Sequence, residues 1–220
     1  LVALPLTSGP IVFLLALGHG AAFAANAAAG ILAGGFSLAA FTLAYARLSP
    51  RWTWFPTLVS ATLAFGLMTV LLQYTTIPLV PLWAGVIAAF VLVLRLLPRD
   101  SDSRPQVEAL APRWDIPLRM TIATVFVLLI TGLAPFLGPR LAGLLAPFPL
   151  FTATLAAFAQ HQHGPAAAFK LLRGLILGLF SFASLMCTLA LLLEPAGVPV
   201  AFAIAVVVMC LLQGASLWLL

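Results

Sequence analysis

Few side chains in this sequence can do chemistry, and the most suggestive ones occur in two similar settings. Pro5, Thr7, Ser8, Gly9 and Pro10 open one apolar stretch, and Pro147, Pro149, Thr152 and Thr154 open another. Proline withholds a backbone donor and leaves a carbonyl unpaired, so a helix tends to kink or break there. Broken segments at corresponding places in two halves of a membrane protein point to a substrate site near the bilayer midplane. The plainer alternative has the hydroxyls bonding back to their own helix. On the first reading Thr7, Ser8, Pro10, Pro149, Thr152 and Thr154 are candidate substrate contacts, expected to line one cavity.

Asn26, Lys170 and Arg173 complete the candidate substrate-binding set. Lys170 and Arg173 are three residues apart, hence on one helix face, where they either hold an anion or snorkel to lipid headgroups. His161 and His163, in Gln-His-Gln-His-Gly, have no neighbouring cysteine or carboxylate, so no metal is expected there. Cys187 and Cys210 lie in apolar runs and read as packing residues, and Gln73 and Gln213 as interhelical hydrogen-bonding groups. No Asp or Glu falls inside an apolar stretch, which argues against cation export driven through an intramembrane carboxylate. Nothing resembles a nucleotide-binding loop or a nucleophile–base pair, so neither an enzyme nor a cofactor is expected.

The elements that carry these residues follow from composition. Of 220 residues, 64% are hydrophobic and 7% charged, too few charges to cover a water-facing surface. Eight apolar stretches, 3–18, 21–46, 53–73, 77–97, 116–137, 141–160, 166–193 and 197–219, approach the ~20 residues that a membrane-spanning helix needs. The expected fold is therefore an all-α, polytopic helical bundle. Residues 99–114 form a polar linker between a first membrane unit, 1–98, and a second, 115–220, with 77–97 as a connecting helix.

The net charge of +5 does not indicate nucleic acid, because the basic residues sit in short connections between apolar runs. Nine of the ten fall on one expected face, at the connections after 46, 97 and 160, and Arg140 alone falls on the other. The positive-inside rule makes the nine-residue face cytoplasmic, together with the linker and the C-terminus.

An ungapped comparison of the chain with itself aligns 5–46 with 149–190, with 12 of 42 positions identical. The pairs include Pro5 with Pro149, His19 with His163, Gly20 with Gly164, and Gly30, Gly34, Phe36 and Ser37 with Gly174, Gly178, Phe180 and Ser181. The stripes Gly30, Gly34, Ser37 and Gly174, Gly178, Ser181 are expected to let helix backbones approach closely. Five apolar stretches separate the starts of the two copies, and an odd number inverts the second relative to the first. The second copy has a helix, 116–137, with no counterpart in the first, so one more helix is expected upstream of Leu1.

Gly143-Leu144-Leu145-Ala146-Pro147-Phe148-Pro149-Leu150-Phe151-Thr152 resembles a Gly-Leu-x-Pro-Leu-Phe-Pro-type stretch of small GlpM/YdgC-type bacterial inner-membrane proteins. The resemblance covers the second half directly and the first through the repeat, where Leu4-Pro5-Leu6-Thr7-Ser8-Gly9-Pro10 holds the motif position. It implies a membrane fold and a place in a bacterial inner membrane, and supplies no catalytic residues. One member type is associated with exopolysaccharide production. A fused pair of units is also analogous to small four-helix exporters that work as antiparallel dimers. Two functions follow as expectations: a small secondary transporter or flippase-like protein for a neutral, lipidic or anionic substrate, or an accessory subunit of an envelope assembly. Membrane lipids, a second copy or another membrane protein are the expected partners, and nucleic acid is not.

Overall fold

The computed structural model describes residues 8–98 and 115–218. Among them lie eight helices and no strand: α1 Ser8–His19, α2 Ala21–Leu48, α3 Trp54–Gln73, α4 Leu79–Leu96, α5 Asp115–Leu145, α6 Leu150–His163, α7 Pro165–Ala196 and α8 Val198–Trp218. Thr7 and the linker 99–114 lie outside the described residues.

Part of the eight-span expectation is supported: among the described residues, four helices, α2, α3, α4 and α7, are long and apolar enough to cross a membrane. The described part of α1 has 12 residues and α6 has 14, about 18 and 21 Å at ~1.5 Å per residue, short of a ~30 Å hydrocarbon core. The expected span 141–160 is interrupted: its first residues continue α5, and Pro147 and Pro149 separate them from α6. α5 itself is broken where Gly138 takes φ 76° and Pro139 follows.

α2 and α7 form the centre. Buried residues make up 67% and 56% of their apolar windows, against 28% and 22% for α3 and α4. α2 packs on α1, α3, α4, α5 and α7, and α7 also contacts α4, α6 and α8. The outer helices are two-faced. On α4, Leu82, Val86, Phe90 and Val93 point inward at helical spacing, and Phe90 meets Phe180 of α7 edge-on at 5.8 Å. On α3, Ala61, Phe65, Thr69 and Leu72 point inward, while Val59, Leu63, Leu67 and Val70 are exposed. Apolar stripes this long are costly in water and neutral against lipid tails, which makes these helices compatible with an integral membrane protein.

The helix boundaries follow the shift found in the sequence comparison. A shift of 144 residues carries the starts of α2 and α3 onto those of α7 and α8, and the end of α1 onto that of α6. The turn glycines take nearly the same backbone conformation, Gly20 at φ 88°, ψ 167° and Gly164 at φ 84°, ψ 179°. That region is essentially closed to residues with a Cβ. A hydrogen bond recurs at the same shift: Thr69 Oγ1 donates to Ser37 Oγ at 3.0 Å, and Ser181 Oγ lies 2.6 Å from Gln213 Oε1. Each ties the third helix of its unit to the second. Ser181 Oγ is also 2.8 Å from the Gly178 carbonyl oxygen. One hydroxyl proton serves one of these two acceptors, and a flipped Gln213 amide, donating to Ser181, would satisfy both contacts.

The α1–α2 and α6–α7 turns lie at opposite ends of α2. Gln160, near the end of α6, donates from Nε2 to the Ser49 and Trp52 carbonyl oxygens and accepts the Tyr45 hydroxyl. His161 lies edge-on to Trp54. The α6–α7 turn therefore sits beside the α2–α3 turn, whereas the α1–α2 turn at Gly20 is at the other end of α2, about 42 Å away for 28 residues at ~1.5 Å each.

Candidate functional site

The expected cluster of hydroxyls and prolines does not assemble among the described residues. Ser8 is buried on α1, whose main neighbours are α2 and α5, and Thr152 is buried on α6, whose main neighbours are α3 and α7. Pro10 and Thr154 are exposed, and Thr154 Oγ1 donates to the Leu150 carbonyl oxygen of its own helix. Pro149 is buried as the residue before α6. Lys170 is exposed and Arg173 half-buried, and neither has a partner among the described residues. No group of three or more metal-ligating side chains occurs among the described residues. Gln213 pairs across helices, whereas Gln73 Oε1 is buried with no hydrogen-bond partner.

A cavity of about 220 Å³ lies elsewhere, at the end of the bundle that carries Asn26 of α2 and the α3–α4 turn. Asn26, Ala29, Gly30 and Ala33 form its α2 wall, Leu72, Thr75, Thr76, Ile77 and Leu82 its second wall, and Pro139 with Arg140 its third. Of the candidate substrate contacts among the described residues, Asn26 alone borders it.

Arg140 reaches the cavity through two local features. The first is the break at Gly138–Pro139, which redirects α5 immediately before Arg140. The second is a close helix crossing. A Cβ on Gly30 would sit 2.7 Å from the Arg140 carbonyl oxygen and 3.2 Å from Gly143 Cα, and a Cβ on Gly143 would collide with the Ala27 carbonyl oxygen. Only two facing glycines permit that approach. Gly34 packs in the same way against Pro147 and Leu144, so the α2 half of the expected glycine stripe does lie at a crossing.

The α7 half needs correction. Gly174 is exposed and a Cβ there would meet nothing within 4 Å, although Gly178 and Ser181 are buried. Gly143, the partner that explains Gly30, went unrecognised in the sequence. Its spacing of four from Pro139 and Pro147 gave no stripe to notice.

The guanidinium is anchored but not neutralised. Arg140 Nη2 donates to the Leu72 carbonyl oxygen at 2.9 Å, near the C-terminus of α3 where the helix dipole is negative. That oxygen also accepts from Thr75 N at 3.2 Å and Thr75 Oγ1 at 3.1 Å. Asn26 Nδ2 donates to the Ala22 carbonyl oxygen at 2.9 Å, leaving one amide proton and its oxygen free. The site thus offers a cation and neutral hydrogen-bonding groups. No carboxylate pairs with Arg140 among the described residues. Its chemistry suits recognition of an anion and offers no nucleophile or general base. Compared with known proteins, the chain matches no family model, no curated protein and no solved structure.

Proposed function

We propose that this chain is a small secondary transporter or flippase-like protein of the bacterial inner membrane, made of two inverted units and handling a lipidic or anionic substrate. One observation carries the reading. α1–α2–α3 corresponds to α6–α7–α8 with matched turn glycines and matched hydrogen bonds, and the two hairpin turns lie at opposite ends of α2. Paired units of opposite direction are a recurrent plan of secondary transporters, in which one unit rocks against the other. In that arrangement α4 is the connecting helix that lets the second unit enter inverted, and the linker and C-terminus are cytoplasmic.

Two measurements test it. Single cysteines at His19 and at Gln162, in a background lacking Cys187 and Cys210, should react with an impermeant maleimide from opposite sides of the membrane. In proteoliposomes carrying fluorescent phosphatidylglycerol, dithionite should bleach more than the outer-leaflet share of the label. Bleaching equal to that of protein-free vesicles rejects lipid movement.

The accessory-subunit reading keeps one specific observation in its favour: Ser8 and Thr152 are packed in different neighbourhoods instead of facing a shared cavity. On that reading the GlpM/YdgC-type resemblance points to an envelope or exopolysaccharide assembly. Inactivity in vesicles, together with co-purification of a defined membrane partner, would select it.

A further inference from the structure

We propose that the cavity around Arg140 is a binding site for a phosphate-type oxyanion, either free or on a lipid headgroup. The inference goes beyond the transport reading, because the site binds whether or not the bound group is moved.

Charge gives the first argument. A guanidinium is permanently charged and presents five N–H donors in a planar fork suited to phosphate. The single recorded partner of Arg140 is the Leu72 carbonyl oxygen, which Thr75 already engages twice. A neutral carbonyl orients the fork without cancelling its charge. An unpaired cation at the edge of an apolar bundle is costly, and such groups characteristically pair with something.

Location gives the second. Arg47, Arg51, Arg95, Lys170 and Arg173 lie at the other end of the bundle, shared by the C-termini of α2 and α4 and the α2–α3 and α6–α7 turns. A basic residue serving only as a membrane-topology signal belongs with them. Arg140 instead turns inward against α3, into a cavity.

Size and lining give the third. About 220 Å³ is below the ~300–1,000 Å³ of sites that enclose a whole drug-sized ligand. It is room for roughly seven waters at ~30 Å³ each, hence for a small anion or the head of a larger molecule. Asn26 and Thr76 border the cavity, so neutral donors are available beside the cation, while no carboxylate lines it to attract a metal ion. The crossing at Gly30 and Gly143 fixes the α5 backbone that carries Arg140, so the cation is held in place before a ligand arrives.

The test is thermal unfolding of the full chain in a neutral detergent, titrated with three probes: short-chain phosphatidylglycerol, short-chain phosphatidylcholine, and inorganic phosphate at constant ionic strength. Phosphatidylglycerol, phosphate or both should raise the midpoint, and phosphatidylcholine should not. A response to phosphate assigns a free anion, and a response to phosphatidylglycerol alone assigns a headgroup. Arg140→Gln should weaken the responding probe at least tenfold, Arg140→Lys less, and Arg95→Gln, at the other end, not at all. Ala33→Phe fills the cavity while keeping Arg140, and should abolish the response even if Arg140→Gln fails to fold. An undiminished response in Arg140→Gln or Ala33→Phe overturns the site, as does equal response to all three probes or to none. Binding without lipid movement keeps the site and removes the transport reading, whereas unchanged movement by Arg140→Gln and Ala33→Phe without binding does the reverse.

Discussion

Gly30 and Gly174 are paired by the 144-residue alignment of the chain with itself, yet the same substitution should act on them with opposite sign. In α2 a Cβ at position 30 would lie 2.7 Å from the Arg140 carbonyl oxygen and 3.2 Å from Gly143 Cα. Ordinary carbon contacts need ~3.5 Å, so the backbones of α2 and α5 must separate by roughly 0.5–1 Å. Overpacking of that kind costs about 1–3 kcal/mol. Alanine recovers about 0.5–1 kcal/mol of helix propensity relative to glycine. Gly30→Ala should therefore destabilise by about 1–2 kcal/mol net. At Gly174 nothing lies within 4 Å, so only the propensity gain remains, and Gly174→Ala should stabilise by up to about 1 kcal/mol. The contrast is about 2 kcal/mol, roughly 30-fold in the folded-to-unfolded ratio. Titration of micelle-solubilised protein with sodium dodecyl sulfate, followed by circular dichroism, measures it. Gly143→Ala should behave like Gly30→Ala, and the double substitution should cost less than the sum, since one separation accommodates both methyls. Equal midpoints for Gly30→Ala and Gly174→Ala would refute the crossing as the feature that seats the Arg140 segment.

Three further outcomes are expected. Gln160→Leu removes the acceptor of the Tyr45 hydroxyl and the donor to the Ser49 and Trp52 carbonyl oxygens, so it should cost well above the ~1 kcal/mol of Tyr45→Phe; equal losses in the same titration would deny Gln160 its bridging role. Thr69→Val and Gln213→Leu each remove one of the repeated interhelical bonds and should each cost about 0.6 kcal/mol, a typical value for such bonds in membranes. With Cys187 and Cys210 replaced, the cysteine pairs 37/69 and 181/213 should both cross-link under mild oxidation and the mixed pair 37/213 should not; efficient 37/213 cross-linking would contradict the separation of the two units.

The sequence determined what depends on local chemistry and period. Long uncharged runs required apolar helices, and α2, α3, α4 and α7 appear close to their expected limits, because apolar length alone fixes such elements. The alignment paired Gly20 with Gly164, and the structure gives both the same turn conformation, one closed to residues with a Cβ. Ser37 and Ser181 were legible through the repeat, although their partners Thr69 and Gln213 were not matched to them, because the two partner residues differ in type. Tertiary structure decided the rest. Whether a glycine stripe is a crossing depends on what faces it, so Gly30 and Gly174 read alike and pack differently. Pro10 and Thr154 looked like site residues and proved exposed, because proline and hydroxyl spacing mark a helix start whichever way it faces. Arg140 read as the one exception to a charge bias. It acquires its cavity through contacts of α5 with α2 and α3, some 110 and 68 residues away, and a single sequence records nothing of such pairings.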